Sequence, residues 1–208
     1  MSRRGSLVVT EVRRRIMLNE LAPGAVLTEL GLAAELACSQ AAMREALLRL
    51  EGEGLVRRAG HQGTTVTDLD AETAAEILDL RRRIELRGAR RAARRAMAGD
   101  LARLVGLQVA MDRAASAGDV WGLIEQDIAF HLELFQIGGL DALTPILARC
   151  ILHTQRFKLW APWHHRPLVE TAARHRVLIE QLRAGDAAGL SRELALHLDT
   201  MVDQASAA

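Results

Sequence analysis

The side chains of this sequence that could do chemistry together are histidines and an aspartate in its second half. Asp127 and His131 are four residues apart in a stretch with a helical pattern, so both project from one helix face and can bind one ion. His175 and His197 fall in the middle of two later predicted helices. Imidazole nitrogens with one carboxylate suit zinc, nickel, manganese or iron. Taken singly, each histidine is more often an ordinary core or surface residue than a metal ligand.

Helices must position these groups, because strand signals vanish after Asp70. The remainder is rich in Ala, Leu and Arg with helical periodicity. Breaks that contain glycine or proline divide it into about six helices, which predicts an all-α bundle with ligand sites between facing helices. The last four predicted helices cover residues 127–136, 142–160, 169–183 and 187–204.

The N-terminal part of the chain has a different layout. Apolar residues recur at helical spacing over residues 7–17, and Pro23 with the glycine after it ends that helix. A second short helix is predicted over residues 29–37, and a third begins after Ser39, which is a good N-cap. Two short helices with so tight a joint are typical of a helix-turn-helix.

A hairpin is predicted directly after the third helix. Residues 55–58 and 64–67 are short β-branched or apolar segments, and a glycine-rich turn separates them. The fold class is therefore predicted to be mainly α. A winged helix-turn-helix of three helices and a two-stranded wing would occupy residues 1–69, and the all-α helical bundle would occupy residues 70–208.

The third helix carries the first candidate residues for DNA contact. Gln40 and Arg44 lie one turn apart on the same face, where a helix-turn-helix meets base edges in the major groove. Ser39 can offer a hydroxyl or a backbone N–H to phosphate. The other interpretation is that Arg44 is a surface charge paired with Glu45 or Glu51.

Arg49 and the tip of the hairpin complete this candidate set. Arg49 lies further along the third helix than Arg44 and is expected to face the DNA backbone or solvent. Gly63 has no Cβ and admits close approach to a minor groove or a phosphate. His61 and Gln62 could then reach DNA, the other interpretation being simple exposure to solvent.

Length, net charge and apolar content narrow the class of protein but do not identify it. The chain has 208 residues and a formal net charge of +1, so DNA binding would depend on a local basic patch. No apolar stretch is long enough for a transmembrane helix, and the N-terminus lacks the pattern of a secretory signal. We therefore expect a cytoplasmic protein that does not bind membranes.

Residues 18–66 resemble the GntR-type DNA-binding domain. Order, spacing and turn residues all fit that domain. The landmarks that carry the resemblance are Leu21-x-Pro23-Gly24, Leu32-Ala33-x-x-Leu36, Ser39, Arg44-Glu45-Ala46-Leu47, Leu50-x-x-x-Gly54-Leu55-Val56 and Gly63-x-x-Val66.

Residues 74–208 resemble FCD, the helical ligand-binding domain of the FadR subfamily. Its metal pattern of Asp-x-x-x-His followed by two later histidines is matched by Asp127, His131, His175 and His197. The resemblance implies a divalent metal ion, with zinc in first place and nickel, manganese or iron as alternatives. Four protein ligands leave coordination positions open in a five- or six-coordinate ion, where a carboxylate or hydroxyl of an effector could bind.

The resemblance also implies a role for Arg81. This residue opens an Arg-x-x-x-Glu pattern with Glu85 on the first helix of the second domain, and it could face the cavity to hold an effector carboxylate. The other interpretation is an exposed i,i+4 ion pair.

The sequence departs from the family pattern at three places. Gln40 stands where the family usually has Arg, and Ala42 where it usually has Pro. Glutamine still hydrogen-bonds a base edge, typically adenine, but lacks the bidentate preference of Arg for guanine, so we expect a different operator sequence. The asparagine that usually follows the Asp-x-x-x-His helix is missing around residues 137–140.

The resemblance as a whole implies a transcriptional regulator. We expect a repressor that binds a palindromic double-stranded DNA operator as a homodimer and responds to a small carboxylic or sugar acid near the metal. The alternative is a metal-dependent hydrolase built on the helical domain. Glu125 and Glu133 are the nearest candidate bases in sequence, but they point off the Asp127 and His131 face, and no nucleophile motif is present. We therefore expect no enzyme.

Overall fold

The computed structural model describes residues 3–58, 63–161 and 166–199. The chain divides into two compact units, Met1–Asp70 and Ala71–Ala208. Helices dominate both, so the predicted mainly α fold class is confirmed. None of the helices in the described ranges is long and apolar enough to cross a membrane.

The first unit contains three helices and a small sheet. The prediction of a two-stranded wing was incomplete, because a third strand pairs antiparallel with the hairpin at the edge next to its second strand. This strand has two residues, too few for an alternating pattern to appear in the sequence. The elements are α1 (Arg3–Met17), β1 (Val26–Leu27), α2 (Glu29–Glu35), α3 (Gln40–Gly52), β2 (Val56–Arg58) and β3 (Thr64–Val66).

Helix α3 begins where the sequence predicts and turns one apolar face inward. The Ser39 hydroxyl accepts a hydrogen bond from the backbone N–H of Ala42 at 3.2 Å, which satisfies one of the unpaired donors of the first turn. Met43, Leu47 and Leu50 are fully buried, and α3 packs mainly against α1. The opposite face of α3 is consequently left exposed.

The second unit is an all-α bundle with α6 at its centre. Helix α6 packs against α4, α5, α7 and α8, and its Phe130 is fully buried among apolar side chains. A short 3₁₀ turn precedes α7. The helices are α4 (Ala71–Ala92), α5 (Ala98–Ser116), α6 (Val120–Ile137), α7 (Thr144–Trp160), α8 (Leu168–Ala173), α9 (Arg176–Arg183) and α10 (Ala187–Asp199).

The single helix predicted over residues 169–183 was wrong, because the structure breaks it into α8 and α9. The backbone N–H of His175 bonds to Ala172 O at 3.3 Å, a turn tighter than that of an α-helix. His175 therefore lies at the junction of two helices and not in the middle of one. The sequence holds no glycine or proline at this break, and its apolar spacing continues across it.

Helices α4 and α6 approach closely at Gly88. A Cβ built at this position would overlap the ring of Phe135, which is buried. We expect Gly88→Ala to lower the free energy of unfolding by about 1–3 kcal/mol, as overpacking typically does. Gly106→Ala on α5 is the matched control, because a Cβ there meets nothing within 4 Å, and it should stabilise slightly. Urea denaturation of both variants measures the difference, and a Gly88→Ala protein as stable as Gly106→Ala would contradict the close packing.

Candidate metal centre and nucleic-acid interface

Asp127, His131, His175 and His197 converge in the interior of the second unit. Asp127 and His131 come from α6, His175 from the junction of α8 and α9, and His197 from α10. Each offers one ligand atom, these atoms lie within 4.8 Å of one another, and all four residues are buried. The four ligand atoms are thus close enough together to converge on one ion.

Hydrogen bonds fix which ring nitrogens of this group face inward. His131 Nδ1 lies 2.7 Å from Glu85 Oε2, and His175 Nδ1 lies 3.3 Å from the carbonyl oxygen of Ala172. A carboxylate and a carbonyl only accept, so each Nδ1 carries the hydrogen and each Nε2 keeps its lone pair in the neutral ring. Both Nε2 atoms are buried and face Asp127, that of His175 at 3.1 Å from Oδ1 and that of His131 at 4.0 Å from Oδ2.

The charges of the group also suit a cation. Burial alone would raise the pKa of the Asp127 carboxyl, but His175, His131 and His197 lower it well below its usual value. Burial, with the neighbouring His175 and His131, lowers the pKa of His197 well below its usual value. An ionised carboxylate and a neutral imidazole are the forms that bind metal. The residues present therefore fit a divalent metal ion.

A second layer of side chains orients His131. The Glu85 carboxylate faces His131 and also accepts a hydrogen bond from Arg81 Nε at 2.5 Å. Arg81 Nη1 in turn donates a hydrogen bond to Thr154 Oγ1 at 2.8 Å. Burial alone would raise the pKa of Glu85, but Arg81 and His131 lower it. A carboxylate behind a metal-ligating histidine fixes its orientation and raises its basicity. Spacing along the chain could not predict this role of Glu85, because the contact joins two helices.

Arg81 occupies a different place from that expected of an effector contact. Its side chain is fully buried, so the alternative of an exposed ion pair with Glu85 was wrong. It lies behind Glu85 and is not among the residues that line the cavity beside Asp127. Its contact with an effector stays a prediction. Of the other histidines, His153 is buried on α7 outside the group, and His164 and His165 lie outside the described residues.

Substitution of one of the four proposed ligand residues should abolish metal binding and leave the protein folded. We expect wild-type protein to retain about one ion per chain, measured by inductively coupled plasma mass spectrometry, and Asp127→Asn and His197→Ala to retain almost none. Glu85→Gln should weaken affinity about 10- to 100-fold in chelator competition, since only the orienting carboxylate is lost. His153→Gln is the control and should keep its metal. Equal loss in His153→Gln and His197→Ala would contradict the assignment.

A small cavity of about 150 Å³ adjoins the group on the side of Asp127. Lys158 of α7 lines it and is only 8 % exposed, and within the part of the chain that the structure describes its ammonium makes no hydrogen bond or ion pair. Burial lowers the pKa of Lys158 to about 8. The cavity therefore holds a cation whose charge is poorly solvated.

The pKa of Lys158 predicts how its effect on stability changes with pH. Between about pH 8 and the usual pKa of Lys, the unfolded chain binds a proton that the folded chain lacks, so the Lys158 contribution to stability rises with pH in that window. We expect Lys158→Met to be more stable than wild type by up to about 3 kcal/mol at pH 7, a gap that closes toward pH 10.5. Urea denaturation of metal-free protein at several pH values measures the gap. A gap that does not change with pH would contradict the prediction.

The predicted DNA-contact residues of α3 are exposed, and Gln40 and Arg44 share one surface because both contact Glu29. Ser39, Gln40, Arg44 and Arg49 are all exposed. Gly63 is exposed beside β3 with a φ of +83°, a backbone conformation that favours glycine. His61 and Gln62 lie outside the described residues. The structure thus leaves each described member of this set accessible to a large ligand.

Glu29, at the start of α2, is the residue of this surface that the sequence did not single out. Its carboxylate accepts from Arg44 Nε at 3.1 Å and Nη2 at 2.9 Å, and from Gln40 Nε2 at 3.3 Å. Arg58 of β2 also approaches it, at 3.4 Å. The hydrogen bond from Arg44 lowers the pKa of Glu29. The expected alternative partners of Arg44, Glu45 and Glu51, are not those that the structure shows.

Comparison with known protein families supplies the identity of both units. A family model described as "Bacterial regulatory proteins, gntR family" matches residues 5–66, and the FCD domain model matches residues 76–200. The chain belongs to the GntR family. Its second unit is an FCD domain.

Individual relatives agree with this assignment. The Nta operon transcriptional regulator of Aminobacter aminovorans is 32 % identical over 148 residues, which cover 70 % of this chain and 69 % of that protein. The solved structure of Escherichia coli McbR/YncC is 24 % identical and covers 99 % of this chain and 100 % of that one, with a TM-score of 0.80. A putative GntR regulator from Rhodococcus sp. RHA1, also 24 % identical, covers 100 % and 99 % with a TM-score of 0.76.

This GntR-family chain is a DNA-binding transcriptional regulator with an FCD domain. The first unit supplies the helix-turn-helix with its wing. The FCD domain contains a buried Asp and His group that could hold a metal.

Proposed function

We propose that the protein is a cytoplasmic repressor that binds a palindromic operator as a homodimer and responds to a small carboxylic or sugar acid. The acid would bind beside a divalent metal ion, with zinc in first place. The observation that carries this proposal is the convergence of four buried donors within 4.8 Å, in forms suited to a cation. A positive ion in a buried site attracts an anionic ligand, and three histidines with one aspartate leave it coordination positions to offer.

Different residues of the FCD domain would have different roles in such a site. Asp127, His131, His175 and His197 would hold the ion, and Glu85 keeps the Nε2 of His131 turned toward it. When bound, the ion supplies a positive charge and an open coordination position. Arg81 remains a candidate contact for the effector, although its guanidinium is engaged by Glu85 and Thr154.

The exposed face of α3 would enter the major groove of the operator. Gln40 suits adenine and Arg44 suits guanine, while Ser39 and Arg49 would contact the backbone. Gly63, with His61 and Gln62, would bring the wing against DNA. A palindromic operator follows from two copies related by a two-fold axis.

Operator binding and effector binding are linked thermodynamically under this proposal. If the acid weakens DNA affinity by some factor, DNA weakens acid affinity by the same factor. The proposed response is therefore tested on one metal-loaded sample by two measurements: the DNA affinity with and without the acid, and the acid affinity with and without DNA.

Arg44→Ala tests the DNA-binding face. An operator is first selected from a random DNA pool with wild-type protein. We expect the variant to lose about 1–3 kcal/mol of binding free energy for that operator, because one side chain that bonds a base edge is gone. Fluorescence anisotropy at fixed moderate salt measures the affinity, and the affinity for metal and acid should not change.

Arg83→Ala is the matched control for this experiment. It removes the same charge from an exposed side chain of the second unit. If Arg83→Ala and Arg44→Ala weaken operator binding equally, the loss reflects net charge alone and the assignment of α3 fails.

A further inference from the structure

An open groove of the first unit lies between the start of α3 and the wing. Its volume is about 730 Å³. Gln40 borders the groove at α3, and Gly63 borders it at the wing. A Cβ built at Gly63 would lie 3.7 Å from Val26 Cγ1, so β1 lies directly beside the start of β3 here. Two residues expected to contact DNA therefore border one and the same groove.

The lining of this groove includes two large apolar side chains that the core does not use. Leu30 of α2 is 70 % exposed, the highest value for a large apolar side chain among the described residues of the first unit. Val26 of β1 is 63 % exposed. Helix α2 buries Leu32 and Ala33, and Leu30 lies outside that buried face. A single exposed apolar residue is ordinary, but two in one groove indicate contact with an apolar group of a partner.

Hydrogen bonds hold Leu30 next to the exposed face of α3. Thr28 caps α2, since its hydroxyl accepts a hydrogen bond from a backbone N–H of the first turn at 3.1 Å, and the helix begins at Glu29. The Glu29 carboxylate accepts hydrogen bonds from both Gln40 and Arg44. The residue directly before Leu30 is thus tied to the two side chains of α3 that are expected to bond to bases. DNA that lies against those side chains meets Leu30 as well.

The two carboxylates that line the groove do not give it a net negative charge. Glu29 is paired with Arg44 and is also approached by Arg58. Glu51 accepts a hydrogen bond from the backbone N–H of Arg58 at 3.0 Å. Two guanidinium groups therefore balance two carboxylates here. The apolar side chains, and not an excess of charge, distinguish this groove.

The chemistry of leucine limits what Leu30 can recognise in DNA. Its side chain neither donates nor accepts a hydrogen bond. A phosphate or a polar base edge placed against it would lose water without a hydrogen bond in return. Thymine is the base that presents an apolar group, its C5-methyl, in the major groove.

We propose that Leu30 is a specificity-determining residue that packs against the C5-methyl group of a thymine in the operator. The inference rests on the proposed function, because it assigns one more contact to the same DNA-binding surface. The thymine lies next to the base that Gln40 contacts, since both side chains line one groove. The contact removes the exposed apolar surface of Leu30 from water.

Replacement of thymine by deoxyuridine tests this contact, because uracil lacks only the methyl group. The operator is selected from a random DNA pool with the wild-type full chain, and each of its thymines is then replaced in turn. Fluorescence anisotropy at fixed salt measures the affinity. We expect one replacement in a half-site to weaken wild-type binding about fourfold, the effect of one buried methyl group.

Leu30→Ala and Leu7→Ala are the matched variants. Both remove an exposed leucine of the first unit, and Leu7 of α1 does not line the groove. Leu30→Ala should bind the thymine and uracil operators equally, whereas Leu7→Ala should keep the fourfold difference. Any change that uracil makes to DNA shape affects both variants alike. The salt dependence of binding should not change in Leu30→Ala, because no phosphate contact is lost.

The outcomes separate failure of this contact from failure of the proposed function. The contact is overturned if no thymine of the operator responds to replacement by uracil, or if Leu30→Ala keeps the wild-type response. In either case, an operator that wild type binds and Arg44→Ala binds weakly still supports the proposed regulator. If the response to uracil depends on Leu30 but the selected operator is not palindromic, the contact stands and the proposed homodimeric binding fails.

Discussion

The FCD domain is organised around a carboxylate, Asp127, that is ionised although it is buried. Such a charge is stable only where surrounding groups compensate the loss of water. Here Gln155 donates a hydrogen bond to the carboxylate, and three imidazole rings from three parts of the chain surround it, with ring centroids 4.5 to 5.5 Å apart. Helix α6, the α8–α9 junction and α10 must therefore meet at one point, and the apolar core around Phe130 and Leu194 holds them there.

Two different surroundings flank Asp127. A row of polar contacts crosses the bundle on the side of His131, and a cavity lies on the other side. Arg81, Glu85 and His131 form a continuous row from α4 to α6, and Thr154 ties the row to α7. On the opposite side, Asp127 and Gln155 border the cavity that contains Lys158. Every charge in the row is paired, whereas the ammonium beside the cavity is not, so the two sides differ in what they can still bind.

Features set by local pattern could be predicted from the sequence, and features set by packing could not. The helix-turn-helix, the cap at Ser39 and the i,i+4 pair of Asp127 and His131 depend on neighbouring residues, and the structure contains all three. The break at His175 has no glycine or proline to mark it. Strand β1 has two residues and depends on its partner, β3. Contacts of Glu29 with Arg44 and of Glu85 with His131 join separate helices, so spacing along the chain carries no signal for them.

The ion pair between Glu29 and Arg44 has a consequence for the proposed contact of Arg44 with DNA. The Glu29 carboxylate already accepts hydrogen bonds from Nε and Nη2 of Arg44, so the guanidinium must give up this partner before it bonds to DNA. A base edge that offers two acceptors in the right plane can replace both bonds. Under the proposed function, Glu29 would therefore compete with DNA for Arg44 and would lower the affinity for sequences that do not replace both bonds.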